Sequence, residues 1–346
     1  MKKQLTKAVT GLTGAVVLLS GCAAPAPAAV PAAPVAENTA AQQAESPFTL
    51  TARKETSFSE IANISGEFSF DQDVMTPADE VFNLFGTAAT AMCAKPGFAL
   101  GKADEESYYI NLSGKITRTN TVSLSALKEQ QSVNRVLKCS CATSPAVANA
   151  SVVGVPLQSI VDMAGLEDDV NTVICRDGEG YGLPISLSAA LENGAMLVYQ
   201  IDDQAIEEGV QLWMPRAAAR YFTRQVMDIE FTHSDEAPAL SPIDDAQRAK
   251  VSIVNRFDDT FAVGDQITFE GYADDYDVPI SAVEFSLDGG KTWTACSTEG
   301  ADADRWVYWT FAYTAGQSGT FKLDVRARTA EGRVSPLASS VVFTVR

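Results

Sequence analysis

Histidine is nearly absent from this chain of 346 residues: the only one is His233. A Ser-His-Asp triad would have to be built on it, and it lies in a polar stretch that reads as a solvated loop. Zinc sites that take two or three histidines are excluded outright. Positive charge is also scarce. The 26 Lys and Arg stand against 44 Asp and Glu, a formal net charge of −18. No basic stripe is present to follow a phosphate backbone, so no nucleic-acid partner is expected. The acidity suits a soluble exported domain.

Several motifs are missing as well. The 6 cysteines contain no C-x-x-C pair, which removes the usual redox and zinc spacings, and no C-x-x-C-H for attaching a haem. Cys139-Ser140-Cys141 is C-x-C. Gly178-Glu179-Gly180-Tyr181-Gly182 departs from G-x-G-x-x-G and no long helix follows, so it reads as a strand-connecting turn. The acidic loops at Asp274, Asp275 and Asp277 and at Asp302 and Asp304 do not follow the EF-hand pattern and read as solvated turns.

One apolar run stands out, at the start. Lys2, Lys3 and Lys7 lead into Ala8 to Leu19, then Leu19-Ser20-Gly21-Cys22. This is the plan of a secretory signal peptide, too short for a stable membrane span. Its ending resembles the bacterial lipoprotein signal, which implies that Cys22 is lipidated and becomes the mature N-terminus. Several acyl chains on that residue would give stable attachment. Residues 23–50, rich in Ala and Pro, read as a disordered tether. The chain is therefore expected to be exported and anchored by lipid to the outer face of the cell membrane. Outside the cytoplasm disulfides are allowed. Cys93, Cys139, Cys141, Cys175 and Cys296 are an odd number, so at least one thiol is free or ligated.

About 300 residues remain, enough for two domains, and 46% hydrophobic content is enough for real cores. Over 51–235, Thr76 to Cys93 has helical periodicity behind a Thr-Pro start. Short helices follow at Leu124–Gln130 and Ser188–Leu191. Val153 to Ala164 reads as a G-V-P-L turn and then a helix. Strands are expected at Tyr108–Ile116, Asn134–Cys139, Asn171–Cys175 and Met196–Ile201, and a loop from Cys139 to Asn149. This mixture predicts an α+β class. Residues 236–249 form a polar linker. From 250 to 346 short strands recur between turn signals, as in an immunoglobulin-like β-sandwich. Ser286 to Trp293 resembles an Asp-box; a single copy reads as a hairpin, not as a propeller blade.

The run Ile280 to Phe285 into that hairpin, with Trp306, Trp309, Lys322 to Arg328 and Gly332, resembles the C-terminal dimerisation domain of the sulfite oxidase-like molybdopterin-dependent oxidoreductase family. The preceding segments resemble that family's molybdopterin-binding domain in order: Tyr108 to Lys115, Ser123 to Leu127, Leu137-Lys138-Cys139, Gly154-Val155-Pro156-Leu157, Gly178 to Leu187, Met196 to Asp203, and Pro215 to Glu230. The resemblance implies a sulfite oxidase-type molybdopterin-binding domain followed by the sandwich, with Mo-molybdopterin as cofactor. It implies Cys139 as the metal-ligating and catalytic cysteine, with Cys141 the alternative. Arg216, Arg220, Arg224 and Tyr181 become the cofactor-binding candidates. A thiolate is a soft ligand suited to molybdenum. The implied activity is oxygen-atom transfer or reduction of a small-molecule substrate, with a heme or quinol electron-transfer partner and a possible homodimer.

The chain departs from the family at several places. Ala142 and Val152 stand where asparagine and tryptophan are common, Arg216 and Ala219 where the cofactor loop has glycines, and Arg224 where it has lysine. Glycine lets backbone approach a ligand closely, so these changes alter that approach. A cofactor-free homologue acting as a binding or scaffold lipoprotein is the alternative expectation.

Overall fold

The computed structural model describes residues 57–77, 80–81 and 102–346. The signal, Cys22, the tether, Cys93 and most of the helix expected over Thr76–Cys93 lie outside them. Strand accounts for 43% and helix for 9% of the structure, so the α+β class expected from the sequence is incorrect and the described chain is predominantly β. The expected helices downstream of residue 101 do form, but each is only one or two turns long. They are α1 (Leu124–Lys128), α2 (Leu157–Ala164) and α3 (Leu187–Glu192). Ser123 and Ser186 cap α1 and α3, their hydroxyls accepting from Ala126 N at 3.1 Å and Ala189 N at 3.4 Å.

In chain order the strands of the first half are β1 (Glu67–Asp71), β2 (Tyr109–Gly114), β3 (Thr121–Ser123), β4 (Val133–Ser140), β5 (Val147–Pro156), β6 (Thr172–Arg176), β7 (Pro184–Ser186), β8 (Met196–Ile201), β9 (Gln204–Ala205), β10 (Gln211–Trp213) and β11 (Asp228–Thr232). Then come β12 (Lys250–Ile253), β13 (Thr260–Phe261), β14 (Gln266–Asp274), β15 (Ile280–Ser286), β16 (Thr294–Ser297), β17 (Val307–Thr314), β18 (Gly319–Thr329) and β19 (Ser339–Val345).

Two sheets, β10-β8-β5-β4 with β9 on β8, and β3-β2-β11-β6-β7, enclose a first core that includes Leu137, Val155, Leu197, Trp213 and Ile229. Two others, β1-β17-β14-β12 and β13-β19-β18-β15-β16, sandwich a second core of Phe269, Phe285, Trp309, Phe311, Leu323 and Phe343. Phe285 stacks on Phe311 with ring centroids 4.2 Å apart.

Two features depart from the sequence reading. The segment expected to be a loop to Asn149 and then a G-V-P-L turn is mostly strand β5, which runs on to Pro156. Most of its residues are buried on both faces, so the polar alternation that marks a half-exposed strand is missing. β1 precedes the first core in sequence yet belongs to the second, where Phe68 lies opposite Phe311 and Phe70 opposite Trp309 on β17. The chain then crosses between the cores. Trp306 Nε1 donates to Val74 O at 2.8 Å, and Asn149 Nδ2 on β5 donates to Gln72 O at 2.9 Å and Val74 O at 3.1 Å.

Asp274 and Asp275 are not solvated, as their acidic surroundings had suggested, but buried at the junction of the two cores. Lys138 Nζ donates to Asp274 Oδ1 and to Asp275 O, and Arg248 Nη1 donates to Asp275 Oδ1 at 2.5 Å. Buried carboxylates require such partners.

Candidate functional site

Alternation along β4 decides what Cys139 faces. Successive side chains on a strand point to opposite sides. Leu137 and Cys139 join the first core, while Lys138 and Ser140 turn toward the sandwich and meet Asp274. Cys139 is 0% exposed and lies opposite Ala148 of β5. Burial pushes its thiol well above the ordinary range, and the neighbouring Cys141 adds to the shift. Cys141 is also buried, just past the strand end, with Sγ 3.5 Å from Thr143 Oγ1. Its carbonyl accepts from Lys250 Nζ and from the Tyr276 hydroxyl. Lys250 is itself buried, and desolvation lowers its pKa against the opposing pull of Asp274.

The arginine segment lies beside this strand end. Ala218 forms a parallel bridge with Ser140, and Ala219–Tyr221 make one 3-10 turn. Further on, Thr223 Oγ1 donates to Cys175 O at 3.3 Å and Met227 N donates to Arg176 O at 2.8 Å, so the same segment reaches the end of β6. The turn bearing Tyr181 starts there. The arginine segment thus touches the end of β4 at Ala218 and the end of β6, where the Tyr181 turn starts, at Thr223 and Met227.

The three arginines are not equivalent. Arg216 adopts φ 58°, a left-handed backbone that costs a non-glycine residue about 1–2 kcal/mol, and its Nε donates to Asp304 Oδ1 at 2.8 Å. Arg224 donates from Nε and Nη2 to Glu208 Oε1 at 3.0 and 2.6 Å. Arg220 has its guanidinium over the Tyr221 ring, 5.5 Å from the centroid, and its Nε is buried with no hydrogen-bond acceptor.

Tyr181 closes a turn around Asp177. Its amide donates to Asp177 Oδ1 at 2.9 Å, and Asp177 N donates to Tyr181 O at 3.0 Å. Asp177 was not singled out in the sequence, although an aspartate opening a glycine-rich turn is a recognisable signal. It is buried, and its Oδ2 has no donor. Asn149, beside Ala148 on β5, likewise has a buried Oδ1 without a donor.

Buried polar atoms without partners are rare and costly. Here Arg220 Nε and Asp177 Oδ2 lie on the arginine segment and the β6 turn, whereas Asn149, in register with Lys138, faces the sandwich side of β5. Among the described residues, no group of three or more His, Cys, Asp or Glu is arranged to hold a metal ion, so a metal at Cys139 would need donors from elsewhere. Molybdopterin brings its own sulfur donors, a phosphate for Arg220, and ring N–H groups for the Asp177 carboxylate. The residues present fit it.

Comparison with known proteins agrees. Residues 98–238 match the oxidoreductase molybdopterin binding domain. The sulfane dehydrogenase SoxCD from Paracoccus pantotrophus aligns over 78% of this chain and 81% of its own, at 16% identity and a TM-score of 0.58. It shares the fold. Fibronectin(III)-like modules of Clostridium thermocellum CbhA align over 57% of this chain and 84% of their own, at 14% identity and a TM-score of 0.24, too low to bear on the fold. No curated protein matches the chain. Residues 98–238 of this chain therefore belong to the oxidoreductase molybdopterin-binding domain family.

Proposed function

We propose that this chain is an extracytoplasmic, lipid-anchored molybdopterin-dependent oxidoreductase in which Cys139 is the protein ligand to molybdenum. The observation that carries this reading is the Ser140–Ala218 bridge, which holds the segment of Arg220, with its unpartnered Nε, against the strand that carries Cys139. Bound molybdopterin supplies a metal that serves as Lewis acid and redox carrier, for oxygen-atom transfer or reduction. The protein's own residues bind and shield it. Cys139 would hold the metal as thiolate, and since burial disfavours the free thiolate, it would stay protonated in the absence of the metal. Arg220 would donate to the cofactor phosphate, and Asp177 Oδ2 would accept from a ring N–H, with Tyr181 closing the turn that holds Asp177.

SoxCD is a sulfane dehydrogenase, so reduced sulfur compounds are the first substrates to assay, in both directions of reaction. A heme or quinol protein at the membrane surface would exchange the electrons. Cys22 carries the anchor, which incorporation of labelled palmitate into the wild type but not Cys22→Ala would test.

The second reading is a cofactor-free homologue acting as a binding or scaffold lipoprotein. The full burial of Cys139 and the engagement of Arg216 and Arg224 with Asp304 and Glu208 favour it. Metal and pterin analysis of protein purified from a molybdopterin-producing host separates the two. Stoichiometric molybdenum in the wild type, lost in Cys139→Ser and kept in Cys141→Ser, supports the enzyme, with less retained pterin in Arg220→Ala. A folded wild type without metal rejects it. Loss in Cys141→Ser alone moves the ligand to Cys141.

A further inference from the structure

We infer that Asp304, a residue of the sandwich, is a positioning residue that sets the arginine loop against the end of β4. The inference rests on the reading of Arg220 as the anion contact. Asp304 lies in the connection between β16 and β17 and reaches both parts of the site. Its Oδ1 accepts from Arg216 Nε at 2.8 Å and its Oδ2 from Arg135 Nη2 at 2.8 Å. Its carbonyl accepts from Lys138 N, the residue before Cys139, at 2.9 Å. Its own amide donates to Asp302 Oδ1 at 2.9 Å. One loop residue of the sandwich is thus bonded to β4 at two places and to the arginine loop at a third.

The loop needs such a hold. Arg216 sits at φ 58°, in a region that favours glycine, so the turn that starts the loop does not form by local preference. Two residues later Ala218 bridges Ser140, and two after that stands Arg220. The direction in which the loop leaves residue 216 therefore sets where the Arg220 guanidinium lies.

The ion pair does little for global stability. The Arg216 side chain is 45% exposed and that of Asp304 18%, and pairs open to water contribute little to folding. Loss of Asp304 is therefore expected to release the loop while the fold stands.

The test uses the full, metal-free chain, with inorganic phosphate as the probe of Arg220 in calorimetric titration and hydrogen exchange reporting the amides of residues 217–223. Arg220→Ala is expected to abolish phosphate binding. Asp304→Ala is expected to weaken it about tenfold, the size of effect that coupled neighbours show, and to speed exchange in the loop with little change in melting temperature. Asp304→Glu restores both. In an Arg216→Gly background the Asp304→Ala change has no further effect on the loop, because the strained turn and its partner are both gone.

If Arg220→Ala loses phosphate while Asp304→Ala matches the wild type in affinity and exchange, the positioning role is wrong and the Arg220 reading stands. A wild type that binds no phosphate, or an Arg220→Ala that binds it normally, removes the Arg220 reading; loop exchange in Asp304→Ala then decides the positioning role alone. An Asp304→Ala effect of the same size with Arg216→Gly overturns the coupling through Arg216.

Discussion

Ser140 Oγ donates to Asp274 Oδ2 at 2.8 Å, and both residues are buried. The contact joins the strand of the candidate ligand to β14 of the sandwich. Lys138 takes the other oxygen of the same carboxylate, and Lys250 Nζ donates to Ser140 Oγ at 3.0 Å. Asp274→Ala leaves Lys138 as a buried cation without its carboxylate. Removing one partner of such a pair costs roughly 3–5 kcal/mol. A urea midpoint that does not move would show that the junction is wetter than its burial implies.

The cysteines should differ in reactivity. Thiolate is the nucleophile, and a raised pKa means less of it at any given pH. Cys175 is buried and its thiol is pushed up to about 12, by desolvation first and by Asp228 next. Cys296 is only half-buried, and burial alone raises it. Iodoacetamide at pH 8 should therefore modify Cys296 in the folded protein and Cys175 only after unfolding. Peptide mass spectrometry reads the order, and equal labelling would contradict it.

Acid should loosen the hairpin at residues 286–293. Hydrogen bonds from the Thr292 hydroxyl and amide hold the Asp288 carboxyl down at about 2. A folded-state pKa below the unfolded value of about 3.9 contributes stability above that value. The contribution fades as pH falls from about 4 through about 2. Melting temperature followed across this range should drop less steeply in Asp288→Asn than in the wild type. Parallel curves would assign the acid sensitivity to other carboxylates.

Gly154 should not tolerate a side chain. A Cβ there would come within 2.3 Å of Leu197 O and 2.8 Å of Val198 Cα. Both are backbone atoms of β8, at the place where the β5–β8 register shifts between Val153 and Gly154. Gly154→Ala should lower stability by roughly 1–3 kcal/mol, as overpacked cores do, and thermal melting measures it.

Local signals in the sequence reached single strands and helix starts, because those depend on neighbours in the chain. Met196 to Ile201 is expected as a strand and is one, and the helix expected from Leu124 starts there. The helical share is smaller than expected because a helix start does not fix a length: α1 and α3 stop after five and six residues. β5 was missed for want of alternation. β1 was missed because its partner lies at the far end of the chain. In the site, cysteine and arginine are visible as chemistry. Asp274 and Asp304 are not, since an aspartate in a polar loop looks alike whether it meets water or a lysine from another sheet. Arg216 and Arg224 are set apart from Arg220 by acceptors that come from other segments, Asp304 and Glu208.

The membership of β1 in the sandwich has a consequence for the order of assembly. A chain emerging from its N-terminus must leave Glu67–Asp71 unpaired until Val307–Thr314 has been made. Pairings between such distant segments are slow, because the intervening chain must be ordered first. The β1 edge of the second core is therefore expected to close late, drawing residues 57–76 across the first core like a drawstring. A circular permutant that carries 57–76 behind Arg346 would turn this pairing into a near neighbour. It should reach the native state faster than the natural order of the chain allows.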